Sequence, residues 1–507
     1  MLAVKIIEVN FIFLARLFVY LQIDIVSSQT KEINHNNKIM ATLREKIGYG
    51  FGDMSSSMFW KIFSAYLPFF YASVFHLSLE MTGILMLVTR IWDAISDPMM
   101  GIIADRTQTK WGKYRPYLLW ISIPFAVAGV LLFTKPEWGE TGNTVWAFVT
   151  YILMMTVYTA INVPYGSMLG VMTEDSDEKT VFSSYRMFFA YAGSFLVLWM
   201  WEPLCNFFAN MNGTNLEGES LTRDPQSWQY AMIVVGICCM LLFWLTFAMT
   251  REHIRTVKKT TSVMSDLGSL FKNGPWWILL GGVLFFNFFN AIRYSIIPFY
   301  FATLIAKDAS LTIFSIDFLF YAGMFLAVGE IANMVGVAVA TPITFKIGKK
   351  STFLISLFAL IAVCTAFYYV PTNGIGAYWT LLILQILVCI LTGVISPLIW
   401  SMYADISDYA ELKFKTASTG LIFSSSSMAQ KFGGALGGAA VMWLLSGFGF
   451  NTENGAIQTE DAIEGLRLLM SWIPAGVAAL SALFIFIYPL NTKCMKEINN
   501  ELHKIRQ

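Results

Sequence analysis

The sequence predicts an all-α polytopic membrane protein of twelve transmembrane helices, and three observations predict it. Apolar types make up 56% of the 507 residues and charged types 13%, about half of the roughly 25% charge that a soluble domain carries. Aromatic residues reach 16%, a content suited to lipid contact and interfacial belts. The apolar residues also gather into long runs, each close to the roughly 20 residues that cross a bilayer as a helix. The same composition excludes a disordered chain, a collagen-like chain and a disulfide-rich secreted module.

In chain order, the first six runs lie at 50–75, 82–104, 116–134, 145–170, 182–209 and 228–250. The second six lie at 276–305, 317–345, 352–371, 377–403, 420–447 and 468–490. The segments between them sort by charge. Arg106, Lys110, Lys113 and Arg115 follow the second run, and Arg251, Arg255, Lys258, Lys259 and Lys272 follow the sixth. Lys346, Lys349 and Lys350 follow the eighth, and Lys493, Lys496, Lys504 and Arg506 occupy the tail. The alternate loops hold few basic residues, so the positive-inside rule puts both termini in the cytoplasm and the chain in the cell (inner/plasma) membrane. Residues 1–39 contain an apolar stretch broken by Glu8, Arg16 and Asp24. They read as an extension upstream of a start at Met40, or as an interfacial helix.

Lys110-Trp-Gly-Lys after the second run returns as Lys346-Ile-Gly-Lys after the eighth, an offset of 346 − 110 = 236 residues. Six spans with their loops fit that offset, which suggests parallel repeats. The expected organisation is therefore a first six-helix bundle over 40–250, a central cytoplasmic loop over 251–274, a second bundle over 275–490 and a cytoplasmic tail over 491–507. Two such bundles with a site between them resemble the major facilitator architecture.

A charge at mid-membrane costs about 2.5–3.5 kcal/mol on insertion scales, so such residues are functional candidates. Arg90, Asp93 and Asp97 on the second span share one helix face, because they are three and four residues apart. Two carboxylates one turn apart supply hard oxygen ligands for a small cation, or share a proton. The structural alternative is an Arg90–Asp93 ion pair with Asp97 at an interface. Thr159, one turn before Asn162 on the fourth span, adds a neutral oxygen. The remaining intramembrane charges are mostly cations: Lys61, Arg186, Arg293 and Lys431. Glu330 on the eighth span is the expected partner of Arg293, and Arg186 and Lys431 occupy equivalent spans, five and eleven, where both could face one cavity. Asp405, Asp408 and Glu411 after the tenth span, beside Lys413 and Lys415, read as a gating ion-pair cluster or as a solvated loop.

Other chemistries lack residues. The six cysteines form no C-x-x-C pair and read as small buried hydrophobes. No phosphate-binding G-x-x-x-x-G-K-[ST] occurs. The four histidines are scattered and no nucleophile–base set appears, so no enzyme, no cofactor and no metal beyond a transported cation is expected. With 34 basic against 33 acidic residues there is no electrostatic footprint for nucleic acid. A channel filter would require a symmetric ring, whereas the charges here are scattered.

Three motifs then carry a resemblance. Tyr49-Gly-Phe-Gly-Asp, Arg90-Ile-Trp-Asp-Ala-Ile-Ser-Asp-Pro-Met-Met-Gly and Asp105-Arg-Thr-Gln-Thr-Lys-Trp-Gly-Lys-Tyr-Arg-Pro resemble the glycoside–pentoside–hexuronide:cation symporter family. Asn162-Val-Pro-Tyr-Gly-Ser and Asp405-Ile-Ser-Asp-Tyr-Ala-Glu-Leu-Lys fit the same family, and the likeness runs from about Tyr49 to the C-terminus. The resemblance implies cation-coupled sugar symport. Its cation site maps onto Asp93 and Asp97 with Thr159, and Ser96 stands where the melibiose permease has an asparagine, which leaves sodium, a proton or lithium as the coupling ion. Its sugar site maps onto Arg186 and Lys431.

Two family carboxylates read Ser57 and Asn162 here, and Lys61 lies one turn from Ser57. The expected cavity is thus more positive, which favours an acidic glycoside such as a hexuronide through charge-assisted hydrogen bonds; neutral glycosides and pentosides are the alternative. The expected partners are a small sugar, a monovalent cation and membrane lipid, and the expected state is a monomer. The competing readings are a carrier of this fold for a lipid or other non-sugar, and an uncoupled sugar facilitator.

Overall fold

Lipid offers the backbone no hydrogen-bond partner, so apolar runs must satisfy themselves as helices, and helices make up nearly all of this molecule. The computed structural model describes residues 42–173, 176–214, 221–253, 271–306, 309–313, 316–414, 419–453 and 456–506. The extension expected at 1–39, most of the central loop and Lys415 lie outside the described residues. From Leu43 onward the chain forms one compact unit.

In the first half, α1 spans Leu43–Ala65 and α2 Leu79–Arg106, followed by α3 Arg115–Trp120 and α4 Ser122–Leu132. Next come α5 Gly139–Met172, α6 Ser176–Asn212 and α7 Pro225–Met249. The second half begins with α8 Gly274–Leu304 and continues through α9 Ala322–Ile347, α10 Lys349–Ala366, α11 Ile375–Phe414 and α12 Thr419–Gly447. It ends with α13 Glu460–Met470, α14 Trp472–Ile487 and a terminal α15 Thr492–Arg506. Eight of the described helical stretches are long and apolar enough to cross a membrane by length and composition, with α13 and α14 forming one of them.

The structure departs from the expected spans at three places. The eighth run was expected from 317, but β1 Ser310–Ile313 and β2 Ile316–Leu319 pair antiparallel ahead of α9, with Leu311 opposite Phe318. The β-branched and aromatic residues there favour a pleated strand pair, and hydropathy alone merged them into the helix. The twelfth run starts earlier, at Glu460, and breaks at Ser471, whose φ of −128° and ψ of −86° are not helical. Third, α11 continues to Phe414, so Asp405, Asp408 and Glu411 lie on helix and not in a loop.

The two glycines of the internal repeat serve one purpose. Gly112 has φ of +118° and Gly348 φ of +86°, a region that favours glycine. A Cβ at Gly112 would meet the Glu252 carboxylate at 2.6 Å, and one at Gly348 would strike the Thr492 hydroxyl. In each half the glycine therefore admits the segment that follows that half's last long helix. Glu252 accepts hydrogen bonds from the backbone N–H groups of Lys113, Tyr114 and Arg115 at 2.8, 2.7 and 2.8 Å, which fixes the start of α3.

Packing follows the same repeat. α1 lies along α6 and α8 lies along α12, while α2 meets α12 and α6 meets α9 across the halves. The space left between α1, α2, α5, α6, α8 and α12 is the largest cavity among the described residues.

Candidate functional site

The cavity has a volume of about 480 Å³, within the range of roughly 300–1,000 Å³ that small-molecule sites occupy. Residues three to four apart on α1 share a helix face, and Asp53, Ser57, Lys61 and Ser64 form one such ladder on its wall. Arg186 of α6 reaches Asp53 with two bonds, Nε to Oδ2 at 2.9 Å and Nη2 to Oδ1 at 3.2 Å. Such a bidentate pair fixes direction as well as charge. Asn162 of α5 also lines the cavity, where its Oδ1 accepts from the Ser56 hydroxyl at 2.6 Å and its Nδ2 donates to the Tyr158 carbonyl at 3.0 Å.

On α2, Arg90 donates to Asp93 Oδ2 at 3.2 Å and lies over the Trp60 ring at 4.7 Å. Asp93 has no exposed surface, and its Oδ1 is buried without a hydrogen-bond partner. One turn on, Asp97 accepts from the Thr159 hydroxyl at 2.9 Å and from Lys431 of α12. Ser96 is buried, and its hydroxyl donates to its own helix at the Asp93 carbonyl, 3.3 Å away. The carboxylate pair and Thr159 thus bring hard oxygens together, one of them unpartnered, which is a donor set suited to a small monovalent cation.

Glu330 does not pair with Arg293. Its Oε1 accepts from Lys61 Nζ at 2.7 Å and from the Tyr294 hydroxyl at 2.5 Å. Arg293 instead donates to the Met470 carbonyl at 2.7 Å and to Gln385 Oε1 at 2.5 Å, with its guanidinium 4.4 Å from the centre of the Phe367 ring. The physical reason is the end of α13 at Met470: a terminal carbonyl has no intrahelical donor, and Arg293 supplies one.

The expected excess of positive charge in the cavity is corrected in the same way. Among the described residues, Lys61, Arg90, Arg186 and Lys431 each meet a carboxylate: Glu330, Asp93, Asp53 and Asp97 in that order. Asp53 was in the sequence motif without a role. Its spacing of four from Ser57 and eight from Lys61 is the signal that places it on the same face.

Asp405, Asp408 and Glu411 are not brought to this cavity. Asp405 binds Lys349 at the start of α10, with Nζ at 2.7 and 2.8 Å from its two oxygens, and so ties two helices of the second half. Lys413 donates to the Tyr409 hydroxyl at 2.7 Å.

Residues 48–492 match the family model described as MFS/sugar transport protein. The chain is similar to the isoprimeverose transporter of Lactiplantibacillus pentosus, 31% identical over 94% of this chain and 95% of that one. It is also similar to the inner membrane symporter YicJ of Escherichia coli, 29% identical over 91% of this chain and 95% of that one. Among solved structures, the nucleoside transporter NupG superposes with a TM-score of 0.60 over 88% of this chain and all of that one, at 15% identity. That likeness is one of fold.

Proposed function

The chain belongs to the MFS/sugar transport protein family, and on that premise we propose that it is a secondary active transporter that moves a glycoside across the membrane together with a cation by alternating access. It is a carrier and not an enzyme. The plan of two halves puts the whole path within one chain, so a monomer suffices. The distribution of basic loops supports a cell-membrane location with both termini cytoplasmic.

The observation that carries this reading is the bond between Asp97 and Lys431. A cation entering between Asp93 and Asp97 would compete with the Lys431 ammonium for one carboxylate. The buried, unpartnered Oδ1 of Asp93 is a ready ligand for it. Once displaced, Lys431 becomes a free donor on the cavity wall beside Arg186 and Asn162, where sugar hydroxyls can engage it. Sugar bound there would in turn keep Lys431 away from Asp97, so each ligand favours the other, as reciprocal coupling requires. Either sodium or a proton can play this part at a carboxylate pair. In this reading Ser57, Lys61 and Asn162 complete the sugar wall, and Arg90 holds Asp93 in place. The ion pair between Asp405 and Lys349, with Asp408 and Glu411 along the same helix, steadies the cytoplasmic end of the second half. The matched charges of the cavity favour a neutral glycoside over the acidic one.

Uptake of radiolabelled glycosides into proteoliposomes, with sodium or proton gradients imposed separately, tests this reading. Asp93→Cys and Asp97→Cys should abolish accumulation against a gradient while leaving a folded protein. Either variant concentrating sugar as the wild type does would overturn the cation assignment, and uptake indifferent to both gradients would make the protein a facilitator.

A further inference from the structure

Glu330 has no exposed surface and is set behind the cavity wall, which Lys61 and Tyr294 form in front of it. An ammonium has three donors. One donor of Lys61 reaches Glu330 Oε1 at 2.7 Å and another the Tyr294 oxygen at 2.9 Å, while the Tyr294 hydroxyl donates to that same Oε1 at 2.5 Å. The third donor is left for the cavity, where Lys61 keeps 17% of its side-chain exposure. Glu330 Oε2 is buried and without a partner, so the carboxylate has capacity to spare and its charge is directed at Lys61.

We infer that Glu330 is a specificity-determining residue: it holds Lys61 as a neutralised pair, so that this wall reads sugar hydroxyls and rejects sugars carrying a carboxylate. This rests on the sugar-carrier reading above. An unpaired ammonium here would draw an anionic sugar. A paired one offers a single N–H with little net field, and an incoming carboxylate would have to share Lys61 with a buried carboxylate of the same sign. Like charges brought together without solvent cost several kcal/mol at interfaces, and specificity built on such a repulsive element is negative discrimination. Lys61 belongs to the first half and Glu330 to the second, so the readout is also joined to the approach of the halves.

The test uses sugars that differ only in the group at C6: methyl glucoside with methyl glucuronide, and methyl galactoside with methyl galacturonide. Binding of each to the purified full-length protein is measured by isothermal titration in saturating sodium and again at low pH. The wild type should prefer the neutral member of the pair it binds. Glu330→Gln keeps the shape and the Tyr294 bond but removes the charge. It should shift the neutral-to-acidic affinity ratio toward the acidic member by on the order of tenfold or more, the worth of one charge-assisted hydrogen bond. The double variant K61Q/E330Q should restore the wild-type preference. A purely structural role for Glu330 would weaken both members alike and leave the ratio unchanged, which overturns the inference, as does a wild type that prefers the acidic member. If E330Q cannot be purified, the wild-type ratio decides, together with E330D, which keeps the charge and should keep the preference. Wild-type protein that binds none of these sugars, nor any other in a panel of glycosides, overturns the sugar reading itself.

Discussion

Four ion pairs surround the cavity, and they divide into two kinds. Arg186–Asp53 and Arg90–Asp93 lie within the first half, whereas Lys431–Asp97 and Lys61–Glu330 join one half to the other. When the halves rock as rigid bodies, the internal pairs travel unchanged and serve as fixed architecture. The crossing pairs must stretch, break or exchange partners. Ligands that compete for their members therefore act directly on the equilibrium between conformers, and a ligand can shift that equilibrium only by its differential affinity for the two states. Substitutions in the two kinds of pair should separate stability from conformational bias.

The sharpest separation is expected at neighbouring positions on one helix. Asp93→Asn leaves the Arg90 guanidinium, itself only 9% exposed, without its carboxylate. Breaking a buried pair in this way costs about 3–5 kcal/mol. Asp97→Asn touches a pair whose side chains keep 30% and 23% exposure, and should cost about 1 kcal/mol or less while loosening the halves. Thermal unfolding in detergent reads the first effect, and distances between spin labels on the two halves read the second. Equal losses of stability at the two positions would erase the distinction.

A second crossing set closes the end of the molecule remote from Lys110 and Lys346. Glu202 on α6 accepts from the Tyr66 hydroxyl at 2.7 Å and from the Gly323 N–H, at the start of α9, at 2.8 Å. The Tyr321 hydroxyl donates to the Trp199 carbonyl at 2.6 Å, and Trp443 Nε1 to the Glu80 carbonyl at 3.3 Å. Glu202→Gln still accepts a bond but gives up its charge. Losing one charge-assisted bond is worth about 1.5 kcal/mol, which is roughly a tenfold shift toward separation of that end. Spin labels at the exposed positions Met211 and Ile375 should report the widened population. An unchanged distance distribution would show that Glu202 is fixed architecture like Asp53.

The sequence made this contrast only half visible. Apolar runs are legible because lipid forces each to become a helix, and the offset of 236 residues marked the repeat that Gly112 and Gly348 express. Residues on one helix were also legible, since spacing alone puts Arg90, Asp93 and Asp97 on one face. What spacing does not encode is which helix stands opposite. Glu330 could meet Arg293 on α8 or Lys61 on α1, and the packing of α1 against the second half decides for Lys61. Asp53 shows the intermediate case: its ladder with Ser57 and Lys61 was readable, but its partner Arg186 lies on a different helix. The β1–β2 pair escaped for a third reason, because ten apolar residues look alike to hydropathy whether they pleat or coil.

The smallest test sets two adjacent residues against each other at the same end. Asp224 is an internal element. It caps α7 by accepting from the Gln226 and Ser227 N–H groups, each at 3.2 Å, and it also accepts from the Ser227 and Thr214 hydroxyls and the Asn212 amide. Arg223 beside it is a crossing element, donating to the Thr452 carbonyl at 3.0 Å. Asp224→Ala should cost about 1 kcal/mol, the usual worth of an N-cap, with no change in label distances. Arg223→Ala should do the reverse on a smaller scale. The cap also carries a pH signature. Partial burial raises the Asp224 carboxyl, but the hydrogen bonds outweigh it and hold the carboxyl below its ordinary value. A depressed folded value means the carboxylate stabilises fully above the unfolded pKa, about 3.9, and that share is lost as pH falls through the folded value. The stability gap between wild type and Asp224→Ala should therefore be flat from pH 5 to pH 8 and narrow in acid. A gap that widened in acid would remove Asp224 from the fixed architecture, because its charge would then be opposing the fold that it caps.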